Sequence, residues 1–505
     1  MNAGINPGIN TARFLTFSAA CHPNRPAITW RDETWTYEDF GRRVSALDGW
    51  LRSAGVGRGA TAAIFMDNRP EYLAAMFGVF RSGATLVPCN SRLTADELRY
   101  IIDDASVAVV FTDETHEQTA RAAAPNAHVL VAGPELTTIL EGEPTDEPPA
   151  EVNADETAWI FYTSGTTGKP KGAQLSHAAL NHVTVSWLAD LTPMDETDVT
   201  LHAAPLSHGA GQHAIATTAR GAHHVITPTP SFDPAGYFGL VRSYGVTNAW
   251  LVPTQIVMLT QAAPADLQLP TLKYIVYGGA PITETALQAA IDRFGPIFVQ
   301  LYAQGESLMT ITILRPQDHT PELLASAGRA RVGIDVQIVD AEDNPLAPGE
   351  VGEIVVRGPS VMTGYLNQPQ ASKETLRGGW LHTGDLGRMT ADGWLYLLDR
   401  AKDMIISGGS NVYAVEVEQA LAAHPAVADV AVVGVPDDLW GELVTAVVIP
   451  ADRDTWDQAA IDAHCRANLA GYKLPRRWEL VEQIPRNAYG KVVKREIRER
   501  LRDQA

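Results

Sequence analysis

The chain has 505 residues, of which 45% are hydrophobic and 19% are charged. A chain of this length is too long for a single hydrophobic core, so we expect at least two domains. The 59 Asp and Glu residues outnumber the 39 Lys and Arg residues, and the resulting net charge of −20 disfavours a nucleic-acid partner. Any anionic ligand must therefore be held by a local basic site.

The amino-terminal sequence and the cysteines favour a cytoplasmic protein. The first residues lack the basic segment and apolar run of a signal peptide. No stretch approaches the roughly 18 uninterrupted apolar residues of a membrane-spanning helix. The three cysteines, Cys21, Cys89 and Cys465, lie far apart and are odd in number, which argues against a disulfide framework. The quaternary state stays open, with a homodimer as one option.

Strand-like and helix-like segments alternate over most of the first 400 residues. Apolar runs predict strands, whereas a proline start, a glycine end or a Thr94–Glu97 capping box predicts helices. The first elements, in order, are a strand at 60–66, a helix at 69–83, a strand at 84–90, a helix at 93–105 and a strand at 107–113. This rhythm predicts α/β layers with parallel strands. The acidic, proline-rich segment 141–156 is a surface connection.

The pattern changes from about Ala330. Short strands at 335–340 and 352–358 are separated by glycine-rich turns, and 392–409 predicts a hairpin followed by a charged crossing. A helix and then a strand follow, which is typical of a small α+β domain. We place the domains at 1–399 and 403–505, with a hinge at 400–402.

A glycine-rich loop follows the strand that ends near Thr163. The stretch FYTSGTTGKPKGAQLSH, residues 161–177, combines glycines, hydroxyl groups and lysines in a way that suits a polyphosphate. It differs from the Walker A pattern, because Pro170 follows Lys169 and the loop cannot run straight into a helix. The plain alternative is a surface turn rich in Ser, Thr and Gly.

The motif YTSGTTGKPKG resembles the signature loop of the adenylate-forming superfamily, which includes acyl-CoA synthetases, firefly-luciferase-like enzymes and peptide-synthetase adenylation domains. Further matches follow in the family's order and cover essentially the whole chain: YGGAPI (277–282), LYAQGE (301–306), WLHTGDLG (380–387), DRAKDMIISGGSNVYAVEVE (399–418) and PRNAYGK (485–491). The resemblance implies a large multi-layer α/β N-terminal domain with parallel sheets and a small β-barrel-like part. It also implies a small, mobile α+β C-terminal domain.

The chemistry implied by this resemblance has two half-reactions. A carboxylate attacks the α-phosphate of ATP to give acyl-AMP and pyrophosphate, and the thiol of CoA then displaces AMP. The C-terminal domain rotates about the hinge between the two steps. We therefore predict an acid–thiol ligase that uses ATP, Mg²⁺, CoA and a small carboxylic acid.

The resemblance also assigns roles to single residues. Lys491 is the adenylation lysine, although in GKVVKREIRERLR alone it would be a solvated charge at a helix end. Asp385 accepts from the two ribose hydroxyls, although alone it would be a turn residue. Arg400 contacts the nucleotide, and Lys402 occupies the hinge position.

Further roles concern the nucleotide and its metal. Tyr302 lies against the adenine, with Gly278, Gly279 and Ala280 on the other face. Glu306, together with Thr163, holds Mg²⁺ through hard oxygen ligands. The nucleotide-binding set is Thr163, Ser164, Gly165, Thr166, Thr167, Gly168, Lys171, Gly279, Ala280, Pro281, Leu301, Tyr302, Ala303, Gln304, Asp385 and Arg400.

The acyl and CoA sides complete the predicted site. His208 lies near the acyl carboxylate and the CoA tunnel, and with Lys491 and Glu306 it forms the catalytic set. Other histidines stand nearby, but their spacing matches no known metal site; they are His202, His213, His223 and His224. The acyl pocket is assigned to His208, Gly209, Gly278 and Ala303. The CoA-binding residues are Gly408, Gly409, Tyr472 and Lys473.

This sequence departs from the family at Ala303 and Gly305, since Tyr-Gly-x-Thr-Glu is here Tyr-Ala-Gln-Gly-Glu. A lost hydroxyl contact to a charged phosphate is worth about 1.5–3 kcal/mol, or roughly 10- to 100-fold in rate if it acts in the transition state. Glycine would also loosen the loop. We therefore hypothesise weak adenylation, with supplied acyl-AMP as the main substrate. Two further alternatives are an adenylation enzyme that serves a carrier protein and a non-catalytic nucleotide-binding protein.

The identity of the acid is only partly encoded in the motifs. Residues 207–211, SHGAG, offer little bulk and no fixed charge. This favours an apolar acid, bulky or cyclic, over acetate or an amino acid.

Overall fold

The computed structural model describes residues 9–163, 169–400, 403–437, 439–486 and 492–502. Strands β1 to β20 belong to the first 400 residues: β1 Pro26–Trp30, β2 Glu33–Thr36, β3 Thr61–Phe65, β4 Thr85–Pro88, β5 Val107–Asp113, β6 His128–Ala132, β7 Thr157–Thr163, β8 Lys171–Ser176, β9 Val199–His202, β10 His223–Ile226, β11 Asn248–Leu251, β12 Tyr274–Gly278, β13 Phe298–Tyr302, β14 Thr312–Leu314, β15 Arg329–Ala330, β16 Asp335–Val339, β17 Val351–Arg357, β18 Gly364–Tyr365, β19 Leu381–Met389 and β20 Leu395–Arg400.

Twelve α-helices accompany these strands in the described ranges: α1 Arg13–Cys21, α2 Tyr37–Ser53, α3 Pro70–Ser82, α4 Ala95–Asp104, α5 Glu117–Ala123, α6 Pro134–Leu140, α7 His177–Ser186, α8 Gly209–Ala219, α9 Pro234–Tyr244, α10 Pro253–Ala262, α11 Glu284–Phe294 and α12 Pro369–Thr375. A π-helical turn, Trp187–Leu191, extends α7. Short 3₁₀ helices lie at Gly305–Ser307, Pro316–Asp318 and Arg377–Gly379.

Three sheets organise this part of the chain. A nine-stranded sheet has the order β15-β14-β13-β12-β11-β9-β10-β1-β2, and a seven-stranded sheet has the order β18-β8-β7-β4-β3-β5-β6. Both are parallel in their centres and antiparallel at one or both edges. The third sheet, β16-β17-β19-β20, is antiparallel.

Alternating side chains place the core on both faces of the two large sheets. Ile64 and Val276 point into one shared core, which also takes in the apolar faces of α2, α3, α7 and α8. Phe65 points to the opposite face of its sheet, where α4 and α5 pack, and Tyr277 points to the face covered by α9, α10 and α11. The result is the multi-layer α/β domain that the resemblance implies.

The remaining described residues form a smaller α+β domain. Its sheet has the order β22-β21-β24-β23, and β25 pairs with β24. The elements are β21 Ile405–Ser407, β22 Ser410–Val412, α13 Ala414–Ala422, β23 Val427–Asp437, β24 Gly441–Pro450, α14 Gln458–Asn468, a 3₁₀ helix Gly471–Lys473, β25 Arg477–Leu480 and α15 Lys494–Arg502. The predicted large α/β and small α+β organisation is therefore confirmed.

Local signals in the sequence account for several element boundaries. Helix α3 begins at Pro70 and ends before Gly83, whose φ of 79° is the left-handed conformation that favours glycine. Helix α4 is opened by the predicted capping box, in which Thr94 and Glu97 each accept from the backbone N–H of the other. All three cysteines lie among the described residues and are free thiols. Within the described part, no helix has the length and apolarity needed to cross a membrane.

Candidate active site

The segment 302–306 carries two separate contact networks at the carboxyl end of β13. In the first, Glu306 is the shared acceptor. The Thr163 hydroxyl, at the end of β7, donates to Glu306 Oε1 at 2.9 Å, and the Tyr365 hydroxyl of β18 donates to the same oxygen at 2.9 Å. Lys171, the first residue of β8, stands 5.0 Å above the Tyr365 ring. The structure thus brings together the predicted metal pair and one predicted phosphate-side lysine.

The second network converges on Asp385 of β19. Tyr302 Oη and Gln304 Nε2 both donate to Asp385 Oδ2 at 2.7 Å, and Arg400 Nε contacts Asp385 Oδ1 at 2.6 Å. Arg400 faces Asp385 directly across the β19–β20 hairpin. A carboxylate offers about four acceptor positions, and these three contacts use most of them. Four of the predicted nucleotide-binding residues therefore form one connected cluster, in which Tyr302 and Asp385 are buried.

An irregularity in strand β19 beside this cluster is held by Glu353, which no motif indicated. Gly384 has a φ of 67°, and its N–H donates to Glu353 Oε1 at 2.9 Å. The other carboxylate oxygen of Glu353 lies 2.9 Å from His382 Nδ1 and accepts from Arg377 at 3.2 Å. Glu353 thereby fixes the backbone that presents Asp385.

The predicted adenine-side residues follow β12. Gly278 ends the strand, and a side chain there would meet the carbonyl oxygen of Leu301 at 2.5 Å. Gly279, Ala280 and Pro281 lie in an exposed loop. Gly279 has a φ of 81°, and no atom lies within 4 Å of the position of a Cβ, so the loop is open on that side.

His208 occupies the N-cap position of α8, beside a wall of aromatic side chains. Its Nδ1 lies 2.8 Å from Ser207 Oγ, and its ring meets the edge of Phe161 with centroids 5.5 Å apart at 90°. A Cβ on the following Gly209 would lie 2.5 Å from the ring of Trp250, so glycine allows that ring to pack on the helix start. Burial lowers the pKa of His208 to about 4, so the ring is neutral at neutral pH.

The altered motif position, Gly305, is packed rather than loose. It is buried and begins the 3₁₀ helix Gly305–Ser307. A Cβ there would lie 2.5 Å from Phe161 Cδ1 and 2.6 Å from Thr163 Cγ2, well inside van der Waals contact. The expectation that glycine loosens this loop is therefore wrong, because the backbone itself fills the space between two side chains of β7. Ala303, the other altered position, is partly buried against the central core.

The predicted CoA-side glycines form the turn between β21 and β22. Gly408 and Gly409 have φ values of 57° and 75°. Gly408 N–H donates to Trp440 O at 2.8 Å, and a Cβ on Gly408 would lie 2.9 Å from the Trp440 ring. Arg476 stands 3.7 Å above the same ring. Trp440 and Arg476 join this turn although no motif pointed to them.

The other two predicted CoA-side residues lie in the 3₁₀ helix Gly471–Lys473. Tyr472 is exposed. Lys473 Nζ forms an ion pair with Glu416 of α13, at 2.7 Å from Oε2. Lys473 therefore already has an ion-pair partner on α13. An anion that binds at Lys473 would share the positive charge of the lysine with Glu416.

The histidines near His208 form a buried cluster of ring contacts. His202 Nε2 lies 2.9 Å from His224 Nδ1 with the two rings stacked, and His224 Nε2 lies 3.0 Å from Thr218 Oγ1. His213 stacks on Trp187 at 5.0 Å. Burial lowers the pKa of His202 and of His213 to about 3. These rings belong to the core beneath the nine-stranded sheet.

Several predicted residues lie outside the described part of the chain. They are Ser164, Gly165, Thr166, Thr167 and Gly168 of the loop, Lys402 of the hinge, and Lys491.

Comparison with known proteins gives the same family at both ends of the chain. The family model described as AMP-binding enzyme matches residues 15–366, and the model described as AMP-binding enzyme C-terminal domain matches residues 416–491. A feruloyl-CoA synthase from an Amycolatopsis species is 37% identical over 487 residues, which cover 96% of this chain and 97% of the relative.

Two further matches have similar coverage. The fatty acid–[acyl-carrier-protein] ligase ScoC of Streptomyces coeruleorubidus is 34% identical over 502 residues, covering 96% of this chain and 95% of the relative. The structure of o-succinylbenzoate CoA synthetase from Bacillus subtilis, in complex with the acyl-adenylate intermediate OSB-AMP, superimposes with a TM-score of 0.87 at 29% identity. That match covers 96% of this chain and 97% of the other.

The chain therefore belongs to the AMP-binding enzyme family, the adenylate-forming superfamily that its motifs resemble. Within this family it is an acid–thiol ligase of the acyl-CoA synthetase type, which joins an acid to CoA through an acyl-AMP intermediate.

Proposed function

We propose that the protein forms acyl-CoA from an apolar carboxylic acid, bulky or cyclic, with ATP and CoA as co-substrates. The observation that carries this proposal is the arrangement of segment 302–306. Tyr302 and Gln304 are bonded to Asp385, and Glu306 is bonded to Thr163. A ribose acceptor and a hard-oxygen site therefore flank one short segment, as a bound nucleoside triphosphate requires.

The nucleotide would lie along this segment. Its ribose hydroxyls would donate to Asp385 and, because a carboxylate offers about four acceptor positions, would displace at least one of the three present contacts. Its adenine would lie between Tyr302 and the open loop at Gly279. Its phosphates would extend toward Thr163 and Lys171. The Glu306 carboxylate and the Thr163 hydroxyl are the oxygen ligands that Mg²⁺ prefers beside phosphates, so these residues fit that ion. Bound Mg²⁺ would neutralise phosphate charge.

The proposed reaction has two half-reactions. In the first, an oxygen of the acid bonds to the α-phosphorus, and the bond from that phosphorus to the bridging oxygen of pyrophosphate breaks. Lys491 would neutralise the charge that builds up there. In the second, the CoA thiol loses its proton to solvent and its sulfur bonds to the acyl carbon. The carbon–oxygen bond to AMP breaks, and AMP leaves with the electron pair. Neutral His208 adds no positive charge that would hold the carboxylate away from the α-phosphate.

The aromatic wall beside His208 supports the choice of acid. Phe161 and Trp250 lie on two sides of the His208–Gly209 turn, and both belong to the central apolar core. Neither side chain carries a negative charge that could form an ion pair with an α-amino group. Such surroundings favour an apolar acid and disfavour an amino acid.

A panel of carboxylic acids tests the proposal, with pyrophosphate release and thioester formation assayed separately. We expect aromatic and long aliphatic acids to support both, and acetate and amino acids to support neither. Thioester formation only from supplied acyl-AMP would instead favour the weakly adenylating alternative that Gly305 suggests. Transfer to a carrier-protein phosphopantetheine in place of CoA would favour the carrier-protein alternative, and no turnover with any acid would overturn the proposal.

Replacing Glu306 by Gln removes the negative charge at the predicted metal position and keeps the shape of the side chain. The amide keeps an oxygen for Thr163 and Tyr365 but loses the negative charge that a divalent cation needs. We expect pyrophosphate release to fall by about 10- to 100-fold, and the Mg²⁺ concentration at half-maximal rate to rise. Exposed Glu342→Gln is the control. An unchanged Mg²⁺ dependence would remove Glu306 from the metal site.

Replacing Lys491 by Ala should affect the two half-reactions unequally. We expect ATP-dependent pyrophosphate release to fall by about 100-fold or more, the loss typical when a positioned charge-stabilising group is removed. Thioester formation from supplied acyl-AMP and CoA should change by less than about threefold, since the phosphates have already left. Exposed Lys373→Ala is the matched control. Equal losses in both half-reactions would contradict an adenylation role for Lys491.

The domain division stays a proposal with partial structural support. We place the boundary at 399–402 because β20 ends at Arg400 and the elements of the smaller sheet begin at Ile405. Lys402 is the proposed hinge residue. A cytoplasmic location and a homodimer also remain predictions.

A further inference from the structure

We propose that Phe161 is a positioning residue: its ring, packed on the bare backbone of Gly305, sets where Glu306 and His208 stand for the reaction. The proposal rests on the proposed function, because the roles of Glu306 and His208 come from it. Phe161 lies one residue before the signature motif, and none of the motifs marks it.

Gly305 is a glycine because of its neighbours and not because of its backbone angles. Its φ lies outside the left-handed region, so an L-amino acid could adopt the same conformation. What excludes a side chain is space, since a Cβ would lie 2.5 Å from Phe161 Cδ1, 3.0 Å from Phe161 Cε1 and 2.6 Å from Thr163 Cγ2. The ring therefore occupies the volume that the family's threonine side chain would need here.

The two side chains that crowd Gly305 lie on the same face of β7. Phe161 and Thr163 are two residues apart on the strand, so their side chains project from the same face. Phe161 packs on Gly305, and the Thr163 hydroxyl donates to Glu306 at 2.9 Å. The distance between β7 and the 305–306 backbone is thus set by the ring, and the Thr163–Glu306 hydrogen bond forms at that distance.

The same ring also orients the histidine. The His208 and Phe161 rings meet edge to face, 5.5 Å apart and at 90°. His208 precedes α8, where Gly209 is closed in by Trp250. A shift of the Phe161 ring would therefore move His208 on one side and Glu306 on the other, which couples the acyl side of the site to the metal side.

The test is a cycle of variants at three positions. Gly305→Ala adds one methyl group. The pair Phe161→Val and Thr163→Ser removes the obstructing ring and the Thr163 methyl, and serine keeps the hydroxyl for Glu306. The four proteins are wild type, Gly305→Ala, the pair, and all three changes together. Gly239→Ala is the control, because Gly239 is an exposed helical glycine with no atom within 4 Å of the added methyl.

We expect Gly305→Ala to lower pyrophosphate release by about tenfold or more, the effect of overpacking one methylene. Thioester formation from supplied acyl-AMP should fall by less than pyrophosphate release does, because the proposed role of Glu306 belongs to the first half-reaction alone. The triple variant, which adds Phe161→Val and Thr163→Ser, should release pyrophosphate at least about fivefold faster than Gly305→Ala alone. The pair alone should raise the KM for Mg²⁺ or the acid, because Glu306 and His208 lose their common support.

Three outcomes would overturn the proposal. One is multiplicative effects with no recovery in the triple variant. Another is a Gly305→Ala enzyme as active as wild type. The third is an equal fall of both half-reactions that follows the melting temperature, which is what a purely structural contact would give. If Gly305→Ala does not fold, the Phe161→Val and Thr163→Ser pair provides the test. An unchanged KM for both Mg²⁺ and the acid in that pair would show that Phe161 is not a positioning residue.

The same four proteins separate this inference from the proposed function. If wild type turns over no acid, the proposed function fails. A denaturant-unfolding cycle then still measures whether positions 161 and 305 are coupled, without any substrate. If wild type is active and the cycle is additive, only the role of Phe161 fails.

Discussion

Replacing Asp385 by Asn should reduce both half-reactions by at least about 100-fold. The carboxylate meets three donors, from Tyr302, Gln304 and Arg400. Asparagine has the same shape but offers one oxygen and one NH₂, so at least one donor would face another donor. Two ribose hydroxyls would also lose a charged acceptor, at about 1.5–3 kcal/mol each. Because ATP and acyl-AMP both contain the ribose, pyrophosphate release and thioester formation should fall together.

A matched control exists in the same sheet. Asp335 faces Arg357 directly across β16 and β17, just as Asp385 faces Arg400 across β19 and β20. The Asp335–Arg357 pair is exposed, with side chains 61% and 57% accessible, so it should contribute less than about 1 kcal/mol. Asp335→Asn should therefore leave both rates unchanged. If Asp385→Asn reduced only one half-reaction, Asp385 would not be a common ribose ligand.

Mild acid should destabilise the protein strongly, because burial keeps six histidines neutral when the chain is folded. Burial lowers the pKa of five of them to about 3 or 4 and that of His224 well below its usual value: His177, His202, His208, His213, His223 and His224. In the unfolded chain their pKa is about 6.5. Their contribution is complete above that value and is lost as pH falls toward the folded pKa.

The expected loss is large compared with the stability of a domain. At pH 5.5 each histidine that stays neutral in the folded protein lowers the free energy of unfolding by about 1.4 kcal/mol relative to neutral pH. Three such groups would cost about 4 kcal/mol, against the roughly 5–15 kcal/mol by which domains are stable. His116 works in the opposite direction, because its hydrogen bond to Asp113 raises its pKa. Its contribution is present below pH 6.5 and is lost as pH rises through its folded pKa.

Urea unfolding at pH 7.5, 6.5 and 5.5 measures this effect. His213→Phe keeps a ring to stack on Trp187. It should reduce the slope of unfolding free energy against pH by the equivalent of up to one bound proton. Exposed Phe17→Leu, which changes no titratable group, should leave the slope unchanged. A free energy of unfolding that is constant between pH 7.5 and 5.5 would show that these rings can be protonated within the folded protein.

Local patterns predicted the elements well where they act within a few residues. Pro70 and Gly83 bound a helix, Thr94 caps the next one, and the strands around them follow from apolar runs. The prediction that the glycine-rich loop does not run straight into a helix is confirmed, because β8 starts at Lys171, directly after Pro170. The sheet orders were not predicted, since they depend on contacts between distant segments that no local pattern encodes.

The site, like the fold, was predicted only in part. The resemblance to the family selected Asp385, Arg400, Tyr302 and Glu306, and the structure brings their side chains into two hydrogen-bonded groups. The supporting side chains were missed, because their importance lies only in what they touch. They are Phe161, Trp250, Glu353, Tyr365, Trp440 and Arg476. Phe161 had one available signal, its position two residues before Thr163 on the same strand face.

The packing at position 305 has an evolutionary consequence. A side chain larger than hydrogen would overlap Phe161 and Thr163 in their present positions, so its acquisition there carries a cost. We expect a lineage moving from this sequence toward threonine at 305 to replace the strand residues by smaller ones first, and the reverse lineage to lose the threonine before it gains the ring. The order of substitutions is therefore constrained in both directions. Relatives should carry either a large residue at 161 with glycine at 305, or a smaller one with a side chain at 305.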